Sequence, residues 1–333
     1  MDIRTISSNN YIPIIDPAFI RQTPDEFLAE NGGFLNEVAV VSKSTSGFVN
    51  YRSTTAPTDT ETGEFFSTFT TIADSIGIKV YAIINGFADS FQAKNFSFSA
   101  IKDGGNPSQF FVDPFKFPYT TYLKSIINEV NNFPVQGFIL DNIRFPREDY
   151  SFCENCCRTF SERSGIERLF SLTDLQKDNR LQENWLNFRA DRIETILREL
   201  LQSSFRKNMI INATIDIDPT LNGEKGALNH FGQKIELIGK YCTPMIHLSA
   251  WTPLPSAVDT PEYQALIKHL KFVKTYQAKS KTNLNLYIWG AENESVLTII
   301  EALKREMLFN KIFIQNHFPK DYQIRREIHL GLA

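Results

Sequence analysis

The stretch Val135-Gln136-Gly137-Phe138-Ile139-Leu140-Asp141-Asn142-Ile143-Arg144-Phe145-Pro146 decides how the rest of the chain is read. It is apolar up to Asp141 and then turns polar. That is the pattern of a short strand, buried on both faces, that delivers an acidic side chain at its C-terminal end. A carboxylate that closes a buried run needs a partner or a task, because an unpaired buried charge is expensive. Arg144, three residues on, is a candidate ion-pair partner for Asp141; the other reading gives Asp141 to chemistry.

Similar short runs recur on either side of this one. Ile12–Ile15, Val38–Ser42, Lys79–Ile84, Gln136–Asp141, Met209–Ile215, Pro244–Ser249, Asn285–Trp289 and Lys311–Gln315 read as strands. Between them lie helical patterns. Pro24-Asp25-Glu26-Phe27-Leu28 opens one behind an N-cap at Thr23. Phe65–Ile76 and Tyr119–Val130 space their apolar residues at three and four, and Trp185–Phe205, Lys234–Lys240, Pro261–Ala278 and Glu294–Phe309 complete the set. Strands alternating with helices imply a parallel sheet, since parallel neighbours need crossover connections. Eight such units in 333 residues fit an α/β fold of the (β/α)8 TIM-barrel type, for which ~250 residues is typical. The surplus falls in the βα connections of about 87–118 and 142–184, on the face where barrels build their clefts. A doubly wound open sheet is the alternative, but no G-x-G-x-x-G turn occurs. Without a Pro/Ser linker or a break in composition, residues 1–333 read as one barrel domain.

Composition narrows the function. Lys+Arg total 35 against Asp+Glu 38, a formal net charge of −3, so there is no cationic excess to neutralise phosphates and nucleic acid is not an expected partner. No apolar run approaches the ~18 residues that would span a bilayer, so no membrane partner is expected. Phe is the outlier at 28 residues; most of these rings are expected in the core, with some lining a cleft.

On a barrel, polar residues at C-terminal strand ends are the catalytic candidates. Besides Asp141, the acids in such positions are Asp216 and Asp218 in Thr214-Ile215-Asp216-Ile217-Asp218-Pro219, and Glu292 in Tyr287-Ile288-Trp289-Gly290-Ala291-Glu292-Asn293. Glycoside hydrolysis uses two carboxyl groups flanking the bond, ~5 Å apart for retention and ~6.5–9.5 Å for inversion. Asp141 with Glu292 is the favoured pair, then Asp216. The competing reading puts Glu292 and Glu294 in the first turn of the next helix, where acids suit the dipole. Asn85 and His247 are candidates to hydrogen-bond sugar hydroxyls, and Trp251 and Trp289 to stack on sugar faces or to plug the barrel top. His317 and Asp113 read as structural.

Phe111-Val112-Asp113-Pro114, the following helix and the stretch from Val135 to Pro146 together resemble the glycosyl-hydrolase-like TIM barrels, which carry a "(L/V)DP…helix…(V)DGIhLDxIRYP" block. Phe152-Cys153-Glu154-Asn155-Cys156-Cys157-Arg158-Thr159-Phe160 and Trp185-Leu186-Asn187-Phe188-Arg189 are similar to that family's "FCxxCxxxF" and "W..FR" segments, and Lys79–Asn85 to its third strand. The detailed likeness covers roughly residues 78–206. It implies an O-glycosyl hydrolase with a carbohydrate substrate and no cofactor. It makes Asp141 the strand-four Asp and Arg144 its neighbour in the active-site loop. The chain departs from the pattern at Gln136, where Asp is usual, and at Asn142, where a second Asp often follows. Those departures keep open a second class, a barrel that binds glycan or another ligand and has lost one acid.

The cysteines number four, too few for a disulfide scaffold in a chain this long. Cys153, Cys156 and Cys157 are expected as buried thiols, and with the absence of an apolar leader in Met1–Ser8 they suggest a cytosolic protein. The alternative is a zinc site; it lacks a second C-x-x-C, with only Cys242 left as a fourth ligand.

Overall fold

The computed structural model describes residues 11–95, 98–166, 170–204, 208–216, 224–247, 258–289, 305 and 309–315. The described residues form ten strands: β1 (Ile12–Ile15), β2 (Glu37–Lys43), β3 (Lys79–Asn85), β4 (Ser99–Ile101), β5 (Pro107–Val112), β6 (Gly137–Asp141), β7 (Ile210–Asp216), β8 (Thr243–His247), β9 (Leu284–Trp289) and β10 (Phe309–Gln315). Eight of them, in the order β1-β10-β9-β8-β7-β6-β3-β2, close into a parallel barrel, and β4 and β5 form a separate antiparallel pair. The barrel strands are the eight read from the sequence, to within a residue or two. The β4–β5 pair sits inside the first long connection, which the sequence reading treats as loop.

Helices cover the barrel as amphipathic sequences require. Helix α1 (Pro24–Asn31) starts with a capping box. Thr23 Oγ1 accepts from the Glu26 amide at 3.3 Å, and the Thr23 amide donates back to Glu26 Oε2 at 2.9 Å. The other α-helices among the described residues are α2 (Phe65–Ser75), α3 (Ser90–Asn95), α4 (Phe117–Val130), α5 (Glu154–Ser164), α6 (Leu172–Lys177), α7 (Asn179–Ser204), α8 (Glu224–Phe231), α9 (Ile235–Ile238) and α10 (Pro261–Ser280), and the helix read over Glu294–Phe309 lies almost wholly outside them. Helix α4 buries Tyr119, Thr120, Leu123, Ile126, Ile127 and Val130, the three-and-four spacing of one helical face.

The core has two layers. Ile12 and Ile14 of β1, Ala39 and Val41 of β2, Tyr81 and Ile83 of β3, Ile139, Met245, Tyr287 and Phe313 fill the barrel interior. Residues of opposite parity, such as Val38, Val40, Val80, Ala82, Phe138 and Leu140, pack outward with the helices. Gly137 is demanded by this packing: a Cβ there would stand 2.2 Å from the Ile210 carbonyl oxygen of β7.

The second long connection is a built structure rather than a loop. It carries α5 and α6, and Phe160, Phe170, Leu175, Trp185 and Phe188 form a small core of their own with Cys157. Many of the surplus phenylalanines are used here; two others, Phe19 and Phe110, line the cleft described below. The cysteine expectation needs correction. Cys153 and Cys156 are joined in a disulfide, and only Cys157 and Cys242 are buried free thiols. The C-x-x-C spacing at the start of α5 brings the two sulfurs together, so cysteine usage does not support a reducing compartment. Burial raises Cys157 to about 11, with Asp103 and Asp113 adding to it, and burial alone raises Cys242 to about 12.

Candidate active site at the barrel mouth

Alternation along each strand carries the interior column one step further, from apolar to polar. Two residues beyond Val41, Ile83, Ile139, Met245 and Phe313 stand Lys43, Asn85, Asp141, His247 and Gln315, and Asp16 follows Ile14. These side chains crown the C-terminal ends of the strands. Asp16, Asn85, Asp141, His247, Tyr287 and Gln315 line one cleft of about 300 Å³, floored by Val41 and Ile83.

Asp141 is 4% exposed and pairs in register with Asn85. Its Oδ1 accepts from Thr214 Oγ1 and from the Asn142 amide, both at 2.8 Å, so the carboxylate is anchored through that one oxygen. Asn142 has φ +53, a left-handed conformation that asparagine tolerates better than most residues. Its side chain donates to Asn85 Oδ1 at 2.7 Å. Where the family pattern has a second acid, this chain therefore has an amide that locks the β3 and β6 ends together.

Arg144 does not pair with Asp141 as its nearest acid. Its Nε stands 2.7 Å from Asp216 Oδ2, both side chains fully buried. It also donates to the Phe145 and Pro146 carbonyls at 3.1 Å, and it is sandwiched between the Phe111 and Phe231 rings. Burial pulls the guanidinium pKa down, opposed by Asp216 and then Asp141. Asp216 is in register with His247 and its Oδ1 stands 3.0 Å from His247 Nδ1. Gln233 Oε1 accepts from the Asp216 amide at 3.0 Å. The Asp216 carboxylate thus lies behind His247, between two cationic or donor groups, and reaches the cleft through the imidazole. His247 in turn stacks on Tyr287, centroids 4.6 Å apart. Tyr287 donates to Gln315 Oε1 at 3.0 Å, and its hydroxyl is held well above the usual tyrosine range by burial and by Asp141, Asp16 and Asp216.

On the other side, Lys43 and Asp89 form a second buried ion pair, Nζ to Oδ2 at 2.9 Å with no exposure of either side chain. Lys43 Nζ also donates to the Asn85 carbonyl at 3.0 Å, and Tyr119 OH lies 2.9 Å from Asp89 Oδ2. Burial lowers the Lys43 pKa against the pull of Asp89.

The fold therefore gathers Asp141, Asn85 and His247 in one cleft and sets Arg144 and Asp216 just behind it. Glu292, Trp251, Asp218 and His317 lie outside the described residues, as does the side chain of Trp289, whose backbone ends β9 opposite Gln315. Sequence reasoning missed Asp16, which lines the cleft three strands round the barrel from β6. An Asp-Pro pair after a four-residue strand looks like a helix cap, and Asp16 is one: its Oδ1 accepts from the Ala18 amide at 3.1 Å. The three cysteines do not share one centre, since Cys157 packs in the aromatic cluster away from the bonded pair.

Comparison with solved structures identifies the class of fold. The chain superposes on the PgaB (BpsB) glycoside hydrolase domain from Bordetella bronchiseptica with a TM-score of 0.70 and 10% identity, covering 96% of this chain and 98% of that one. The catalytic domain of the β-amylase from Paenibacillus polymyxa gives 0.63 and 12%, over 97% and 98%. The β-galactosidase from the psychrophilic Marinomonas ef1 gives 0.60 and 12%, over 92% of this chain and 54% of that one. The fold is the (β/α)8 barrel of these glycoside hydrolases. No protein-family model and no curated protein matches the sequence.

Proposed function

We propose that this protein hydrolyses O-glycosidic bonds, with Asp141 as one of its two working carboxyl groups. The observation that carries the reading is the Asp141 carboxylate itself, anchored through one oxygen at the end of β6 in the cleft at the barrel mouth. Anchoring by Thr214 and the Asn142 amide preorganises it, so little motion is needed when charge develops at the sugar. His247, Asn85 and Gln315 surround it with hydrogen-bonding groups suited to hydroxyls, and Tyr287 gives the same cleft an aromatic wall. Glycoside hydrolase domains are among the solved structures that share the fold over nearly the whole chain, which supports the same class of reaction.

The second carboxyl belongs to Glu292, after β9, or to Asp16, which with Asp59 is one of two further described acids lining the cleft. A panel of chromogenic aryl glycosides tests both the activity and the choice. Turnover by the wild type that falls roughly 10²–10⁴-fold in one of Glu292→Gln and Asp16→Asn identifies the partner. Sugar binding without turnover on aryl and natural oligosaccharides alike would overturn the hydrolase and leave a glycan-binding barrel.

A further inference from the structure

The second long connection carries a feature that hydrolysis does not use. Cys153 and Cys156 form a disulfide across the first turn of α5, an eleven-residue helix for which Cys153 is the N-cap. Cys153 Sγ accepts from the Cys156 amide at 3.2 Å. The two sulfurs differ in access, since Cys153 is half-buried and Cys156 is 2% exposed. On the closed side stands a carboxyl group with no exposure, Asp113, whose Oδ2 is 3.6 Å from Cys156 Sγ. Its Oδ1 accepts from the Phe115 amide at 3.0 Å and from Ser151 Oγ at 3.1 Å, which aims Oδ2 at the sulfur. Burial raises the Asp113 pKa, opposed by the two hydrogen bonds and by Lys116 and Arg189, so the group is more readily protonated than an exposed aspartate.

We propose that Cys153–Cys156 is a redox-active pair that exchanges with low-molecular-weight thiols, with Cys153 the entry sulfur and Asp113 the proton carrier for Cys156. A thiolate RS⁻ attacks Cys153 Sγ, forming a Cys153–SR mixed disulfide and breaking the bond to Cys156. The electron pair leaves on Cys156 Sγ, which takes a proton from the Asp113 carboxyl group. A second thiolate attacks the mixed disulfide at the SR sulfur, releasing RSSR and Cys153 as thiolate. The sum is protein disulfide plus two RSH giving protein dithiol plus RSSR, with two electrons passing from the small thiols to the protein. In the reverse direction Cys153 is the attacking thiolate, favoured by the helix N-terminus and by the amide on its sulfur. Asp113 then accepts the proton as Cys156 closes the ring.

The arrangement also reaches the barrel mouth. Phe111, two residues before Asp113, packs on the Arg144 guanidinium, whose partner Asp216 holds His247. A chain of contacts through Phe111, Arg144 and Asp216 thus links the disulfide's surroundings to His247 in the cleft.

The test equilibrates the full chain with mixtures of reduced and oxidised glutathione, traps free thiols with iodoacetamide and counts them by mass spectrometry. Cys153 and Cys156 are expected to convert together in the folded protein while Cys157 and Cys242 remain thiols throughout. In Cys156→Ser, Cys153 should alkylate about tenfold faster at pH 7 than an unperturbed thiol and collect as the glutathione mixed disulfide. In Cys153→Ser, Cys156 should be the slower thiol. Asp113→Asn should slow reduction of the disulfide on the order of 10²-fold and leave Cys153 alkylation in Cys156→Ser unchanged, a split that loss of packing would not give. Reduction only on unfolding, equal reactivity of the two thiols, or release of one zinc ion per reduced chain to a chromophoric chelator would each overturn the proposal. The glutathione titration of the wild type decides the matter even if a cysteine variant does not fold.

Discussion

Two fully buried ion pairs flank the barrel mouth, and they do different work. Lys43–Asp89, on the β2–β3 side, touches the cleft through the backbone: Lys43 holds the Asn85 carbonyl, and Tyr119 braces Asp89 from below. Arg144–Asp216, on the β6–β7 side, touches it through a titratable ring, because the second oxygen of Asp216 faces His247. Both pairs are equally dry and nearly equally short. What separates them is the third group each one contacts: one holds a backbone carbonyl, the other orients a side-chain ring that lines the cleft. A buried charge pair is weak evidence for function until that third contact is known.

The largest effects should be common to both. Asp89→Asn and Asp216→Asn each leave a cation buried without its partner, and each should lower the unfolding free energy by about 3–5 kcal/mol in urea denaturation. The paired apolar replacements should then separate the two sites. Lys43→Met with Asp89→Leu should recover most of the lost stability and leave the KM for aryl glycosides as in the wild type. Arg144→Met with Asp216→Leu should recover stability too, but raise that KM several-fold, since the His247 ring that lines the cleft loses the Nδ1 partner that orients it. An unchanged KM in the second pair would collapse the distinction. Tyr119→Phe probes the support of the first pair and should cost about 1.5–3 kcal/mol, the range for a hydrogen bond to a charged group, with the catalytic pH profile intact.

The smallest effect comes from a carboxylate tied to neither pair. Glu129 on α4 accepts from Tyr51, Ser53, Thr54 and Thr55. Burial pushes its pKa up, but those hydrogen bonds outweigh it and hold it below the usual glutamate range. A carboxyl lowered on folding stabilises the protein above its unfolded pKa, and that stabilisation fades as pH falls through the folded value. Glu129→Gln should therefore flatten part of the acid limb of stability, seen by denaturation between neutral and acidic pH, without altering hydrolysis.

The barrel was legible because its signal is local. A buried parallel strand is an apolar run of four to seven residues, and Val38–Ser42, Lys79–Ile84 and Gln136–Asp141 each show one with a polar residue at or just beyond the end. The site was legible only strand by strand. Asp141, Asn85 and His247 stood out as the polar ends of apolar runs, but which acid meets Arg144 depends on how β7 pairs with β6, and no single run carries that. Spacing favours Asp141 for Arg144, whereas tertiary packing delivers Asp216. Asp16 was hidden because its capping role satisfies the local pattern. The Cys153–Cys156 bond was hidden because four cysteines in a long chain favour buried thiols, and the two sulfurs are brought together only by the turn that starts α5. The β4–β5 pair and helix α6 were hidden because short elements inside long connections have too few residues to show a period.

The most direct test of the account is the rate of aryl glycoside hydrolysis by Asp141→Asn beside the wild type, with folding of both verified by circular dichroism and urea denaturation. With Asp141 in the chemistry, the variant is expected to fold and to lose roughly 10²–10⁴-fold in kcat while still binding sugar. A folded Asp141→Asn that turns over at the wild-type rate would contradict it and move the chemistry away from the end of β6.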